Sequence, residues 1–355
     1  MKTLSNYLIF TLLLGICIPC EAQQIGLYLY LTTQTNQISL GKVSYPPTNQ
    51  IVVAGETTVI SVTVTSSCAG PFAYLWQHDG TNINNIHKIK TIAGTGNGGY
   101  AGDRGPATNA TLLGPIGIRA DNAGNLYIAD AYNNAIRKIS TNGIITTVAG
   151  NGVQNYYGDG GLAMNANLNT PWDVCADASG NVYIADTWNH RIRKVDTNGI
   201  ITTVAGGGET YFPDDNGGQA TNAATPEPMG IAVDASGNFY FSEFDNALIR
   251  KVDTNGIITT VAGDGDDDYS GDGGSATNSH LSEPMGVVLD NVGNLYIAEH
   301  GTDLVRKVDT NGILTTVAGD YSYFSDPNYY GEGGLAIDAT FNEISYIALD
   351  RFGNL

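Results

Sequence analysis

Acidic and arginine side chains recur as pairs along the chain, seven residues apart in every copy. Each acid ends one apolar run and each arginine lies inside the next run. The pairs are Asp130 with Arg137, Asp186 with Arg193, Glu243 with Arg250 and Glu299 with Arg306. Such pairs could take part in acid–base chemistry, but they also form strong structural hydrogen bonds. Four equivalent copies favour a structural role, because a single catalytic centre needs different groups from different parts of the chain.

Three carboxylates at alternate positions, Asp264, Asp266 and Asp268, have the spacing that opens a calcium-binding loop. Tyr269 stands where such a loop needs glycine for its sharp turn, and no Glu occupies the twelfth position. We therefore keep calcium as a candidate ion beside the alternative of a solvated acidic loop. The sequence indicates no other cofactor, and the histidines occupy non-equivalent positions that do not predict a three-histidine zinc site.

These groups must be positioned by a repeated unit, because the chain has a period of about 56 residues. The segment 141–150, with the sequence TNGIITTVAG, returns at 197–206 and 254–263, and with one change, Leu314, at 310–319. Self-similarity at a fixed period predicts one supersecondary unit copied in tandem.

Each unit contains four short apolar runs, rich in β-branched and aromatic residues and bounded by turn residues, which predicts four strands. In the first full unit the predicted strands are Ile116–Ala120, Asn125–Ala129, Ala135–Ser140 and Ile144–Ala149. Asp121–Gly124 joins the first two, and Thr141-Asn142-Gly143 joins the last two. Asn-Gly supplies the positive φ angles of a tight hairpin, so the strands are predicted to be antiparallel neighbours.

Antiparallel four-stranded units in tandem predict an all-β propeller, because radial stacking buries both faces of each sheet. Antiparallel connectivity places the second-to-third turns and the blade-to-blade inserts on one face. Ligand-binding residues are expected there, because they concentrate on loops held by a rigid scaffold. The inserts are Gly94–Pro115, Gly150–Pro171, Gly206–Pro228, Gly263–Pro284 and Gly319–Glu343.

Glycine-rich motifs recur in these inserts, as in Tyr157–Gly161 and Tyr269–Gly274. No Lys-Ser or Lys-Thr follows them, so they predict tight turns over the next blade and not a phosphate-binding loop. A polar, alanine-rich stretch of about one helical turn follows each motif.

Breaks in the repeat mark the candidate ligand-binding residues. Trp172 and Asp173 replace the hydrophobic-Gly pair found at the start of the other innermost strands, and aromatic or polar residues vary at the second-to-third turns. We predict an aromatic and polar rim at the mouth of the channel, suited to a glycan or peptide whose apolar face stacks on rings. Its members are Trp172, Asp173, Trp188, His190, Tyr132, Phe244, Asp245 and His300.

The N-terminus and the charge limit the location and the partners. Residues 1–22 have the pattern of a secretory signal peptide, and no later apolar stretch is long enough to span a bilayer. The formal net charge is -19 with 16 Lys and Arg spread thinly, which excludes nucleic acid as an expected partner. We expect an exported monomer, secreted or at the cell surface, with Cys175 as a core residue.

The segments Asn125–Asp130 and Asn133–Lys138 resemble the NHL repeat, as do Asn181–Asp186 and Asn189–Lys194. The resemblance covers about residues 87–355 and is to secreted bacterial members. It implies a propeller, commonly six-bladed, that serves as an extracellular binding platform or, in some branches, as a lyase or lactonase. The propeller region is expected at 86–355, with four full blades in an open arc and an incomplete fifth unit.

Residues 23–85 precede the propeller and contain the alternating run Val59–Thr65, then Cys68 and Tyr74-Leu75-Trp76. This resembles the first half of an immunoglobulin-like bacterial surface module and implies a small β-sandwich-like segment. Two functions stay open. The first is an extracellular scaffold that binds a glycan, peptide or protein, and the alternative is a metal-assisted lyase or a lactonase whose decisive residues follow Leu355.

Overall fold

The computed structural model describes residues 90–209, 212, 215–321, 334–350 and 352–355, and six strands before them. The chain divides into two compact units, Met1–Lys90 and Thr91–Leu355. In the first unit β1 pairs with β3, β2 with β4 and β5 with β6, all antiparallel. These strands are β1 (Leu8–Phe10), β2 (Gln23–Leu31), β3 (Gln50–Val52), β4 (Thr58–Ser66), β5 (Gln77–His78) and β6 (Thr81–Asn82). The rest of the expected leader and immunoglobulin-like module lies outside the described residues.

The second unit contains four four-stranded antiparallel sheets, as the repeat predicts, each with its strands in chain order. Blade 1 is β7 (Pro115–Ala120), β8 (Leu126–Asp130), β9 (Ala135–Ile139) and β10 (Ile145–Ala149), and blade 2 is β11 (Asp173–Ala176), β12 (Val182–Asp186), β13 (Arg191–Val195) and β14 (Ile201–Gly206). Blade 3 is β15 (Pro228–Val233), β16 (Phe239–Glu243), β17 (Leu248–Val252) and β18 (Ile258–Ala262), and blade 4 is β19 (Pro284–Leu289), β20 (Leu295–Glu299), β21 (Leu304–Val308) and β22 (Leu314–Ala318). The first strands of successive blades contact one another, so they are the innermost strands of an all-β propeller.

The turn between the first two strands is held by its aspartate. In blade 1, Asp121 Oδ1 accepts hydrogen bonds from the N–H groups of Ala123 and Asn125, at 3.0 and 2.8 Å. Gly124 has φ of +84°, which a residue without a Cβ adopts at little cost. The same bonds recur at Asp177, Asp234, Asp290 and Asp350. The aspartates are therefore turn residues, and their spacing needs no chemistry to explain it.

The turn between the last two strands differs from the prediction in one respect. Gly143 has φ of +81°, but Asn142 is not among the residues with positive φ. Gly143 N–H bonds to Ser140 O at 2.7 Å, and Ser140 N–H bonds to Ile144 O at 2.9 Å. This is a three-residue loop with glycine in the left-handed position, so only the glycine of Asn-Gly needs a positive φ.

The core consists of clusters between successive blades. Between blades 1 and 2, Ile136 packs in one cluster with Val174 and Ile184, all of them buried. Equivalent clusters lie between blades 2 and 3 and between blades 3 and 4. Each blade thus depends on its neighbours for burial of its faces.

Innermost strands approach each other so closely that some positions admit only glycine. A Cβ on Gly230 would meet the backbone of Met285, Gly286 and Val287. Gly286 donates to Ser345 O at 2.9 Å, as Gly117 donates to Trp172 O at 2.9 Å. The segment around Ser345 therefore lies where the innermost strand of a fifth unit belongs.

The inserts contain the short helical turns expected from their alanine-rich stretches. These are 3-10 helices at Ala107–Asn109, Ala163–Asn165, Ala220–Asn222, Ala276–Asn278 and Ala336–Asp338. Two more, Ala131–Asn133 and Thr187–Asn189, form the second-to-third turns of blades 1 and 2. Across the described part of the chain no helix has the length and apolar character needed to cross a membrane.

Candidate functional site

The structure brings together all four acid–arginine pairs. Arg137 Nη1 lies 3.1 Å from Asp130 Oδ2, and Arg193 Nη1 lies 3.1 Å from Asp186 Oδ2. The corresponding distances from Arg250 to Glu243 and from Arg306 to Glu299 are 3.3 and 3.2 Å. These eight residues are fully buried. Adjacent antiparallel strands place the groups side by side, because each acid ends the second strand and each arginine lies in the third.

Each arginine also binds a second carboxylate, which comes from the insert before its blade. Arg193 Nη2 lies 2.6 Å from Asp159 Oδ1, and the other second carboxylates lie between 2.7 and 2.9 Å from their arginines. The inserted acids are Asp103, Asp159, Asp215 and Asp272. From sequence alone, the glycine-rich motifs around these acids predict only turns. The signal that could have identified them is their nearly constant spacing from the arginines.

An aromatic ring from the same insert covers each guanidinium. The ring centroids of Tyr100, Tyr156 and Tyr269 lie 5.1, 4.9 and 5.0 Å from the Cζ of Arg137, Arg193 and Arg306. Phe212 takes this place over Arg250, at 5.8 Å. The ring and the aspartate together fasten each insert to the blade that follows it, through cation–π and charge-assisted contacts.

Backbone bonds extend the same attachment to the outer strand of each blade. Gly160 N–H donates to Ile201 O at 2.8 Å, and Ile201 N–H donates to Gly161 O at 3.0 Å. Thr203 N–H donates to Asp159 Oδ2 at 3.0 Å. The insert thus pairs with an edge strand whose polar groups would otherwise stay open to another chain.

Burial changes the acidity of the inner carboxylates. Burial raises the pKa of Asp186 to about 6, although hydrogen bonds from Asn189, Asn169 and Arg193 act in the opposite direction. Burial likewise raises the pKa of Glu243 and of Glu299 to about 7, against the attraction of their arginines. For the inserted Asp159, burial would raise the pKa, but bonds from Thr203 and the charge of Arg193 hold it below its usual value.

A different set of groups meets at the centre of the propeller. Arg119 Nη2 lies 2.9 Å from Asp173 Oδ2, and it also donates to Val287 O at 3.1 Å. Its Nη1 donates to Ile347 O at 2.9 Å, and Tyr346 Oη donates to Trp172 O at 3.1 Å. Side chains from the first, second and fifth units therefore meet at the axis. Arg119 of blade 1 thus contacts the fifth unit, so the two ends of the expected open arc are linked at the axis.

These central residues break the repeat. Asp173 and Tyr346 occupy the position that is Gly117, Gly230 and Gly286 in the other units, four residues before each turn aspartate. Arg119 stands two residues further on. Of these three residues, only Asp173 is among the predicted site residues. Arg119 and Tyr346 break the repeat in the same alignment of units, and that signal could have identified them.

Asp173 is not part of a rim, which corrects the prediction. Its side chain is fully buried, Oδ1 accepts from Val174 N–H at 2.9 Å, and Oδ2 accepts from Ile231 N–H at 3.1 Å as well as from Arg119. Burial raises the pKa of Asp173, and the charge of Arg119 opposes that increase. Burial also raises the pKa of the neighbouring Cys175 thiol, which makes this cysteine an unreactive core residue.

Two of the predicted rim residues are strongly exposed. Tyr132 and Trp188 expose 62% and 50% of their surface, from equivalent positions in the 3-10 turns of blades 1 and 2. Each turn ends in a residue with left-handed backbone, Asn134 or His190. Trp172, Phe244 and His300 are only partly exposed.

The remaining two rim residues, His190 and Asp245, both lie near Glu227 at the junction of blades 2 and 3. His190 is exposed, and its Nδ1 accepts a hydrogen bond from Glu227 N–H at 3.1 Å. Partial burial and the nearby charge of Asp245 raise the pKa of Glu227. This junction is polar and acidic, whereas the turns at Tyr132 and Trp188 present aromatic surface.

The acidic loop before blade 4 groups differently from the prediction. Asp264 and Asp266 come together with His280, so that one ligand atom of each lies within 4.8 Å of the others. Asp268 is not in this group, and its Oδ1 accepts a hydrogen bond from Tyr269 N–H at 2.7 Å. The three alternating aspartates therefore do not converge on one point in this structure.

Comparison with known proteins gives a family match over most of the propeller. The family model described as Teneurin NHL domain matches residues 80–155, 151–212, 204–267 and 263–340. Teneurin-3 of Danio rerio is 29% identical over 273 residues, covering 71% of this chain and 9% of the teneurin. Teneurin-1 of Mus musculus is 29% identical over 276 residues, covering 65% of this chain and 10% of the teneurin. The chain thus spans about a tenth of the length of these relatives.

Among solved structures, the chain is similar to a virginiamycin B lyase from Staphylococcus aureus. The identity is 19%, the TM-score is 0.39, and the match covers 59% of this chain and 56% of the lyase.

Proposed function

The chain belongs to the Teneurin NHL domain family, and on that basis we propose that it is an exported propeller that acts as an extracellular binding scaffold. Its partner is a glycan, a peptide or a protein. The bound surface is the face of the second-to-third turns, where Tyr132 and Trp188 project.

The observation that carries the proposal is the exposure of Tyr132 and Trp188 on rigid, equivalent turns. A large aromatic ring left 50% or more exposed at a fixed position supplies contact area with little loss of conformational entropy on binding. Tyr and Trp are also the residue types enriched at the centres of interfaces. A sugar ring or an apolar side chain can stack on either residue.

The chemistry of the polar groups also favours binding over catalysis. Arg137, Arg193, Arg250 and Arg306 each hold two carboxylates and are buried. In the asymmetric set at the axis, Arg119 with Asp173, both carboxylate oxygens already accept hydrogen bonds from protein donors. A substrate would have to displace these bonds to reach either group. The asymmetric groups at the axis are thus already committed to the scaffold.

Export is supported by the signal-peptide pattern of residues 1–22 and by the acidic composition, which favours solubility. We expect the protein to be monomeric. Its neighbouring blades bury their apolar faces against each other, so the described blades need no second copy for that burial.

Glycan and peptide arrays, probed with the purified chain, test the proposal. Trp188→Ala and Tyr132→Ala should each reduce binding at least tenfold for a partner that stacks on the ring. Val292→Ala is the matched control, because Val292 is 72% exposed in a first-to-second turn on the opposite face. Binding unchanged in both aromatic variants, or a chelator-sensitive turnover of a bound ligand, would contradict the proposal.

A further inference from the structure

Two inserts have the same local geometry but different chemistry. In the insert before blade 2, Asn151 Nδ2 donates to Asn167 Oδ1 at 2.7 Å, and Val153 N–H donates to Asn151 Oδ1 at 2.9 Å. In the insert before blade 4, Asp264 and His280 occupy the positions of Asn151 and Asn167.

Backbone contacts support this equivalence. Asp266 N–H donates to Asp264 Oδ1 at 3.2 Å, as Val153 N–H does to Asn151. Parallel bridges join Gln154 to Leu168 in one insert and Asp267 to Leu281 in the other. The fold therefore brings these two positions together in both inserts, whatever side chains they carry.

The fourth insert replaces a neutral pair by three metal-ligating side chains. His280 Nε2 lies 3.8 Å from Asp264 Oδ2, too far for a hydrogen bond, and Asp266 contributes a third ligand atom within 4.8 Å. Two ligands that bind one tetrahedral ion at about 2.0 to 2.2 Å each lie about 3.3 to 3.6 Å apart, so these side chains need to move inward only slightly to bind a shared ion. The Nδ1 atom of His280 is buried, so Nε2 is the nitrogen that faces the carboxylates.

The charge of the loop also favours a cation. Four of the five residues from Asp264 to Asp268 are aspartates. Within the described parts of the chain, no lysine or arginine is within ion-pair distance of Asp264 or Asp266, and Arg306 nearby is already engaged by Asp272 and Glu299. The aspartates thus repel one another without a basic partner.

We propose that Asp264, Asp266 and His280 bind a divalent transition-metal ion, for which zinc is the probe. A mixed set of one imidazole nitrogen and two carboxylate oxygens suits zinc, whereas calcium takes oxygen ligands alone. Three protein ligands leave a further position for water or for a group from a partner. The ion joins the two arms of the insert on either side of the helix Ala276–Asn278, and this goes beyond the proposed binding by the aromatic turns.

Calorimetry and metal analysis of the whole chain with zinc chloride test the site. Wild type should bind zinc. The double variant Asp264→Asn with His280→Asn lacks two of the three ligands, so its affinity for zinc should be at least about tenfold lower. This double variant installs the hydrogen-bonded pair already present at Asn151 and Asn167, so its circular dichroism should match wild type. Equal zinc stoichiometry and affinity in both proteins would overturn the proposal, and so would binding of calcium with no binding of zinc.

A gain-of-site variant gives a second test. Asn151→Asp, Val153→Asp and Asn167→His together should add one zinc ion per chain to the wild-type stoichiometry. No additional zinc in a correctly folded triple variant would contradict the geometric basis of the proposal. Binding of glycans or peptides by the aromatic turns should be the same in the double variant and in wild type. The two proposals can therefore fail separately.

Discussion

Arg119 in blade 1 and Asp173 in blade 2 form an ion pair across two innermost strands, with 2.9 Å between Nη2 and Oδ2. The pair occupies a place where blades 3 and 4 have the small or apolar residues Gly230, Ala232, Gly286 and Val288. It links four units, because the same guanidinium also reaches Val287 O and Ile347 O. The centre of the propeller is thus held by a polar contact that the repeat itself does not contain.

Removing one partner of this pair should destabilise the fold strongly. Arg119→Ala leaves the fully buried Asp173 without its cation, and breaking a buried pair in this way costs about 3 to 5 kcal/mol. The double variant Arg119→Ala with Asp173→Gly reproduces the residues of blade 3 and should be more stable than Arg119→Ala alone. Chemical denaturation of both variants measures this difference. A single variant as stable as wild type would show that the pair does not hold the axis.

The buried acids predict that stability decreases as pH rises. The pKa of Asp186 is raised from 3.8 to about 6, and those of Glu243 and Glu299 are raised from 4.5 to about 7. Between these limits the folded chain binds more protons than the unfolded chain, so the free energy of unfolding falls as pH rises. The stabilisation that each glutamate contributes is fully present below pH 4.5, and it is lost as the pH rises through the folded-state pKa of about 7.

Thermal unfolding from pH 4.5 to 8 measures this dependence. Glu243→Gln should flatten the profile, whereas Asp196→Asn in an exposed turn should leave its slope in this range unchanged. Asp159 has a lowered pKa, so below this pH range its protonation removes a stabilising charge. There the free energy of unfolding should fall as the pH falls. A melting temperature that rises steadily from pH 5 to 8 would contradict the expectation.

The tyrosines over the arginines of blades 1 and 2 predict a stabilising substitution in blade 3. Tyr100 Oη and Tyr156 Oη lie 3.2 Å from Thr147 Oγ1 and Thr203 Oγ1. Phe212 has no hydroxyl, and the buried Thr260 Oγ1 has no hydrogen-bond partner among the described residues. Phe212→Tyr should therefore raise the free energy of unfolding by about 1 kcal/mol.

The reverse change in another blade is the control. Tyr156→Phe should lower the free energy of unfolding by about 0.5 to 1.5 kcal/mol, because it removes the hydroxyl that lies beside Thr203 and Asp159. Denaturant titration measures both effects. If Phe212→Tyr destabilises the protein, a tyrosine hydroxyl at position 212 does not form the contact that Tyr100 and Tyr156 make with a threonine.

Close packing of the innermost strands predicts that Gly230→Ala is destabilising. Its Cβ would press on the backbone of Met285 and Val287, which cannot move as a flexible side chain would, and overpacking of this kind costs about 1 to 3 kcal/mol. Gly312→Ala is an instructive comparison, because no atom lies within 4 Å of its added Cβ and only its φ of +78° opposes the change. Loss of stability at Gly312 far above that at Gly230 would show that backbone conformation outweighs strand spacing.

Most of the architecture followed from local sequence patterns. The period, the Asp…Gly turns and the alternation of apolar runs predicted four-stranded antiparallel blades, because each of these features acts between residues close in the chain. The strand ends were predicted to within one residue in blade 1, as in Pro115–Ala120 against the expected Ile116–Ala120. The pairing of Asp130 with Arg137 also depends only on one hairpin, so the spacing alone could indicate it.

What the sequence determined by itself was the repeating unit and its internal pairs, because a β-hairpin brings together residues from two adjoining stretches of the chain. Tertiary structure alone decided that Asp159 reaches Arg193, that Asp173 is buried against Arg119, and that His280 and not Asp268 joins Asp264. These contacts join residues from different elements, and their distances depend on how the inserts fold back and how the blades stack. The repeat period shows which positions are equivalent, but it does not show how the inserts fold back or how the blades stack.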